Sequence, residues 1–111
     1  CYVLAKAGVP FLTLSRHPLP HQRHWHEADT DLLQAYPFLI QTTPLGMFPN
    51  TDMKPPLDVS VLPAGAAVFD LIYNPTETQF LREASASGAR TLNGQLMLEA
   101  QALASWKLWS P

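Results

Sequence analysis

An α/β fold built on a doubly wound parallel sheet is what the sequence predicts, and three observations carry that expectation. Short apolar runs bounded by glycine and proline alternate with helix-patterned segments, without internal repeats. One run, 66–73, is apolar at both alternating positions, as strands covered on two sides are. The chain has 111 residues, 47% hydrophobic and 14% charged, which describes one compact domain or a piece of one.

Tyr2 to Ala7 carries helix formers with no capping residue before it, and Gly8 stands where a C-terminal helix glycine belongs, so this stretch reads as the second half of a helix. Pro10 to Leu14 is too short for a helix and reads as a buried strand with Ser15 and Arg16 at its carboxyl end. His17 to Asp29 is polar and broken by proline, with at most a short strand around His24-Trp25-His26. Asp29 or Thr30 then caps a short helix through Leu32, Leu33 and Ala35. Pro37 to Thr42 is the next strand, and Thr43 to Pro56, with four prolines and a glycine, is a loop.

A helical turn near Asp58 to Leu62 precedes the apolar strand Ala66 to Tyr73, which Asn74-Pro75 stops. Thr76 with Gln79 has the spacing of a capping box for a helix that buries Phe80, Leu81 and Ala84 and ends at Gly88. Ala89 to Leu92 is a last strand, and Asn93 caps a long closing helix through Trp109. Ligands of such sheets bind beyond the carboxyl ends of the strands, which places Arg16, Thr43 and Tyr73 on one edge.

Seven Lys/Arg against nine Asp/Glu give a net charge of −2 with no basic block, so neither nucleic acid nor an anionic membrane surface is the expected partner. Apolar runs stop well short of the ~18 residues that a spanning helix needs. The single cysteine, Cys1, has no partner for an internal disulfide, and a reducing, cytoplasmic compartment is the expected location. The first residue is not Met, which suggests that the start is missing.

Three features suit a nucleotide and a polar substrate. Arg16 follows a strand that follows a helix, where a dinucleotide fold reads the ribose. A guanidinium there pairs with a 2′-phosphate and favours NADP over NAD, although a solvated arginine is the competing reading. Thr42-Thr43-Pro44-Leu45-Gly46-Met47 joins hydroxyls, a rigid proline and a permissive glycine, fit either to lay backbone against a flat ring or to make a plain turn. Gly94, Met97 and Gln101 share one helix stripe, and the Gln101 amide needs either a backbone carbonyl or a ligand hydroxyl among its apolar neighbours.

Other clusters point nowhere as sharply. His17, His21, His24 and His26 match no familiar ligand spacing and read as solvated loop residues, so no metal is expected. Asp52 and Lys54 form a nominal acid/base pair, yet in a proline-rich loop they read as solvated charges, and no catalytic residue is assigned. No Gly-x-Gly-x-x-Gly, Walker sequence or nucleophile elbow is present.

Taken in series, Leu14-Ser15-Arg16, Ile40-Gln41-Thr42-Thr43-Pro44-Leu45-Gly46-Met47, Asp70-Leu71-Ile72-Tyr73-Asn74-Pro75 with Thr78, and Gly94-x-x-Met97-Leu98-x-x-Gln101-Ala102 resemble the C-terminal half of a shikimate dehydrogenase. The resemblance covers essentially the whole chain. It implies a partial NADP-binding domain of Rossmann type over residues 1–111, from an enzyme that reduces 3-dehydroshikimate to shikimate with NADPH on the way to aromatic amino acids. It also implies that Ser15 and Arg16 contact the adenosine ribose and its 2′-phosphate, that Thr43, Leu71 and Gly94 line the nicotinamide end, and that Tyr73 and Gln101 reach shikimate. A non-catalytic nucleotide-binding module and a quinate/shikimate dehydrogenase are the alternatives.

His17, Pro20 and Gln41 depart from the family pattern, replacing a Thr, a frequent second basic residue and an Asn. The stretch from Arg16 to Ile40 is short, so the family's third strand is expected to be reduced. The family's catalytic Lys and Asp, its substrate domain, its first strand and its Gly-rich diphosphate loop have no counterpart in these residues. Because that first strand is central in the 3-2-1-4-5-6 order, the truncated sheet is expected to be unstable alone or to close abnormally.

Overall fold

The computed structural model describes residues 2–110, so Cys1 and the expectation attached to it lie outside the described residues. Helix α1 (Tyr2–Lys6) ends at Gly8, whose φ of 68° lets the chain reverse as the C-terminal glycine reading requires. Strand β1 (Leu14–Ser15) pairs in parallel with β2 (Arg23–His24), so each is only two residues long. The strand expected through His24-Trp25-His26 stops at His24. There the Glu27 carboxylate accepts the His24 N–H at 2.6 Å and His24 Nδ1 accepts the His26 N–H, a capping box that starts a 3₁₀ turn at Trp25–Glu27.

Helix α2 (Thr30–Ala35) is capped by Asp29, whose Oδ1 accepts the Leu32 N–H at 2.9 Å, and it buries Leu33. Strands β3 (Phe38–Gln41), β4 (Ala67–Asp70) and β5 (Arg90–Leu92) form a second parallel sheet in the order β3-β4-β5. The parallel α/β class is therefore as expected. Among the described residues the ladders fall into two sheets, and no ladder joins β1 to β3. The sheet does not close up across that break, contrary to one of the two outcomes expected for a truncated sheet.

Two boundaries differ from the sequence reading, for one reason. The strand expected to run to Tyr73 ends at Asp70, because the Asp70 carboxylate accepts the Ile72 N–H at 3.0 Å and turns the chain out of the ladder. The same carboxylate accepts the Thr78 hydroxyl at 2.7 Å, and Thr78, not Thr76, caps helix α3 (Gln79–Ala86) by accepting the Leu81 N–H. Gln79 is then free to donate to Glu83 at 3.0 Å in place of closing a box with Thr76. Helix α4 (Gln95–Trp109) starts one residue later than an Asn93 cap implies; Gly94 holds the cap position while Asn93 Oδ1 accepts the Gln95 N–H.

The core lies on one side of the larger sheet. Phe80, Leu81 and Ala84 of α3 pack with Val59 and Val68, as the helix pattern predicts, and Leu39, Leu57 and Leu62 lean on them. The opposite face carries Phe38, Ile40 and Leu92, all exposed, so β4 is covered on one side where two-sided cover was expected. Helix α4 buries none of its residues.

Candidate functional site

Beyond the carboxyl ends of β3 and β4 lies an open cleft of about 460 Å³, walled by Thr42 to Pro44, Met47 and Phe48 on one side and by Leu71 to Asn74 on the other. It forms because two buried side chains at the strand ends bend the following loops back on themselves. Gln41 is 5% exposed; its Nε2 donates to the Leu45 carbonyl at 3.1 Å and its Oε1 accepts the Thr43 N–H. Thr43 Oγ1 in turn accepts the Leu45 N–H at 3.3 Å. Asp70, the register partner of Gln41 on β4, is fully buried and orders the 71–78 loop through Ile72 and Thr78.

The two loops are then tied to each other. The Leu71 N–H donates to the Gln41 carbonyl at 3.0 Å, and the Phe48 N–H donates to the Asn74 carbonyl at 3.1 Å. Phe48-Pro49 and Asn74-Pro75 are both cis peptides, on the two chain segments that this last bond joins. Gly46 has a φ of 98°, and a Cβ there would lie 2.9 Å from the Met53 carbonyl oxygen, so both conformation and space require glycine. Behind the second wall, the Gly94 N–H donates to the Ile72 carbonyl at 3.0 Å and its α-carbon rests on Leu71.

Electrostatically the cleft has one unusual group. Burial pushes the Asp70 carboxyl above the ordinary carboxylate value, and the bonds from Thr78 and Ile72, which favour the charged form, only partly offset it. Asp70 does not itself line the cleft.

The structure brings Thr43, Leu71 and Tyr73 together in the cleft, with Gly94 directly behind Leu71. Tyr73 is half exposed and its ring is open to solvent. Ser15, Arg16 and Gln101 do not line this cleft. Ser15 and Arg16 belong to the β1–β2 end, where Ser15 Oγ accepts the His17 N–H at 3.2 Å and Arg16 is exposed. One common edge for Arg16, Thr43 and Tyr73 is therefore not formed by a continuous ladder, because the sheets are separate. Gln101 is exposed on α4, where water can reach its amide as well as the backbone carbonyl or ligand hydroxyl that its apolar neighbours imply.

Lys54 pairs with Glu83 of α3, not with Asp52, which removes the nominal acid/base pair of the proline-rich loop. That ion pair holds the Glu83 carboxyl below its ordinary value. His24 and His26 stack with ring centroids 4.7 Å apart, and among the described residues no group of three or more His, Cys, Asp or Glu side chains is placed to hold a metal ion. No helix of the described residues is long and apolar enough to cross a membrane.

Asp70 and Thr78, both within the family motif, are given no role in the site by the sequence, and Gln41 enters there only as a departure. The available signal was an aspartate ending an otherwise apolar strand with a threonine eight positions on.

No family model matches the chain. By sequence it is similar to a shikimate dehydrogenase (NADP(+)) of Methanococcus aeolicus, 47% identical over 75 residues, which is 68% of this chain and 27% of that protein. By structure it is similar to a shikimate dehydrogenase solved in complex with NADP+, at a TM-score of 0.62 and 42% identity over 66% of this chain and 25% of that one. It is also similar to the shikimate 5-dehydrogenase of Thermus thermophilus solved in complex with shikimate, at a TM-score of 0.73 and 26% identity, covering 98% of this chain and 42% of that one. The chain thus spans about a quarter of the length of the curated relatives it matches.

Proposed function

The chain is homologous to the shikimate dehydrogenases, and from that premise we propose that it forms the C-terminal, NADP-binding part of such an enzyme, which reduces 3-dehydroshikimate to shikimate in the cytoplasm. The observation that carries this reading is the cleft itself. Thr43, Leu71 and Tyr73, drawn from two separate loops, meet at the carboxyl ends of adjacent parallel strands, where this class of sheet binds its ligands.

The residues present fit NADP at both ends. Met47, Leu71 and Ile72 offer an apolar wall to a flat nicotinamide ring, and Thr43 supplies a hydroxyl at its margin. Gly94 leaves no side chain between α4 and the Leu71 carbonyl, so that wall can stand close to the helix start. Arg16, exposed after β1, is free to pair bidentately with a 2′-phosphate, and Ser15 adds a hydroxyl beside the ribose. No residue here is assigned to the diphosphate.

When bound, the cofactor supplies the hydride that converts the ketone of 3-dehydroshikimate to the alcohol of shikimate. The chain's own part is to orient: the cleft wall fixes the ring face, while Tyr73 and Gln101 hold hydroxyl or carboxylate groups of the substrate. The carbonyl oxygen also takes up a proton, and none of these residues is assigned to deliver it.

Titration of the complete enzyme that carries this chain with NADPH, NADH and shikimate tests the reading; the fragment alone is expected to be inactive. NADPH binding that weakens in Arg16→Ala, with NADH binding unchanged, supports it. Equal affinity of the variant for NADPH removes Arg16 from the phosphate site, and a complete enzyme that binds neither nucleotide overturns the proposal.

A further inference from the structure

We propose that Asp70 is a positioning residue for the cleft: through the Ile72 N–H and the Thr78 hydroxyl it holds Leu71 to Tyr73 in the conformation that receives the ligand. This rests on the reading of the cleft as the cofactor site. Asp70 is wholly buried at the end of an apolar strand, where an unpaired carboxylate is costly and an apolar residue of similar size would pack more cheaply. Both its oxygens are used, one on Ile72 at 3.0 Å and one on Thr78 at 2.7 Å, and neither bond adds to the sheet ladder.

What those bonds determine is the path of the loop. Ile72 presents its carbonyl to the Gly94 N–H at 3.0 Å, so the turn set by Asp70 also fixes where α4 begins relative to Leu71. Thr78 couples the far end of the loop to α3 by accepting the Leu81 N–H. The 71–78 loop is thereby held near its start, at Ile72, and at its end, at Thr78, by one side chain. Gln41, at the same register on β3, does the equivalent for Thr43 to Leu45, so each cleft wall is braced by a buried polar residue from its own strand. The raised proton affinity of Asp70 agrees with a group retained in spite of burial.

Backbone hydrogen exchange and NADPH titration of Asp70→Leu, Thr78→Val and Thr78→Ser test this. In Asp70→Leu, which has no acceptor for the Ile72 N–H or the Thr78 hydroxyl, protection at Ile72 and Gly94 should fall roughly ten- to hundredfold relative to Phe69 and Ala84, with weaker NADPH binding well below the unfolding temperature. Thr78→Val, which loses one of the two bonds, should show a smaller fall of the same pattern. Thr78→Ser, which keeps the hydroxyl, should restore both. Unchanged protection at Ile72 and Gly94, or an equal loss at Phe69 and Ala84, overturns the proposal by making Asp70 inert or merely structural. If Asp70→Leu unfolds the chain, the contrast between Thr78→Val and Thr78→Ser decides. If the complete enzyme binds no NADPH, the cofactor reading fails, and exchange at Ile72 still decides the positioning.

Discussion

Gly94 meets Leu71 so closely that a β-carbon placed on the glycine would lie 1.9 Å from the Leu71 carbonyl oxygen and 2.6 Å from its carbonyl carbon. Both atoms are backbone, so neither can swing aside. Gly94→Ala must push the start of α4 away from the cleft wall and strain the bond from the Gly94 N–H to Ile72. A loss of about 1–3 kcal/mol in urea unfolding, with weakened nucleotide binding, is expected. An alanine variant of unaltered stability would show that α4 is not seated on Leu71.

Asp70 and Glu83 should give stability opposite dependences on pH. The Asp70 carboxyl is raised in the folded chain, so the folded state binds more protons and stability falls as pH climbs from the ordinary aspartate value, about 3.9, towards the raised one. Asp70→Asn removes that decline, and its unfolding midpoint should gain on the parent's between acid and neutral pH. Glu83 is lowered, chiefly by its bond to Lys54, so its contribution is present above its ordinary value and disappears as pH falls through the lowered one. A Glu83→Gln variant with the parent's acid sensitivity would refute the second half.

The Lys54–Glu83 pair is about one-third exposed on each side, at 35% and 37%. Exposed pairs of this kind contribute under about 1 kcal/mol and are screened by salt. Lys54→Met should therefore shift the urea midpoint only slightly, and the shift should shrink in high salt.

Phe80 is 1% exposed at the centre of the cluster formed with Val59, Val68, Leu81 and Ala84. Truncation to alanine leaves a cavity under the sheet and should cost about 3–5 kcal/mol, measured by chemical denaturation. A smaller loss would mean that the neighbouring residues collapse into the space.

Gln101 is exposed on a helix that buries none of its residues, so Gln101→Ala should leave unfolding unchanged within about 0.5 kcal/mol. If Gln101 contacts the substrate as proposed, the same variant weakens shikimate binding while nucleotide affinity stays constant. Loss of neither would leave it an ordinary surface residue.

The parallel alternation was legible because it rests on local chemistry. The apolar runs at Phe38 to Gln41 and Ala67 to Asp70, the aspartate at 29 and the glycines at 8 and 88 each declare an element or its end within a few residues. The cleft lining at Thr43, Leu71 and Tyr73 followed from the strand-end rule together with the family resemblance. What escaped was set by distant partners. Thr76 has the capping-box spacing to Gln79, and only the Asp70 carboxylate reaching across from β4 selects Thr78 in its place. The open sheet face was likewise invisible, since a run apolar on both sides records what would cover it and not whether those residues are at hand.

Helix α4 has a consequence for handling the chain in solution. Leu96, Leu103, Trp106, Leu108 and Trp109 are 62–83% exposed along its length, in addition to the bare Phe38, Ile40 and Leu92 face of the sheet. So much uncovered greasy surface on a body of net charge −2 leaves little electrostatic repulsion to keep molecules apart. The colloidal behaviour of this chain, its retention on hydrophobic resins and its clouding on concentration, will thus be governed by its last helix together with the bare sheet face, and not by the well-packed core beneath the sheet.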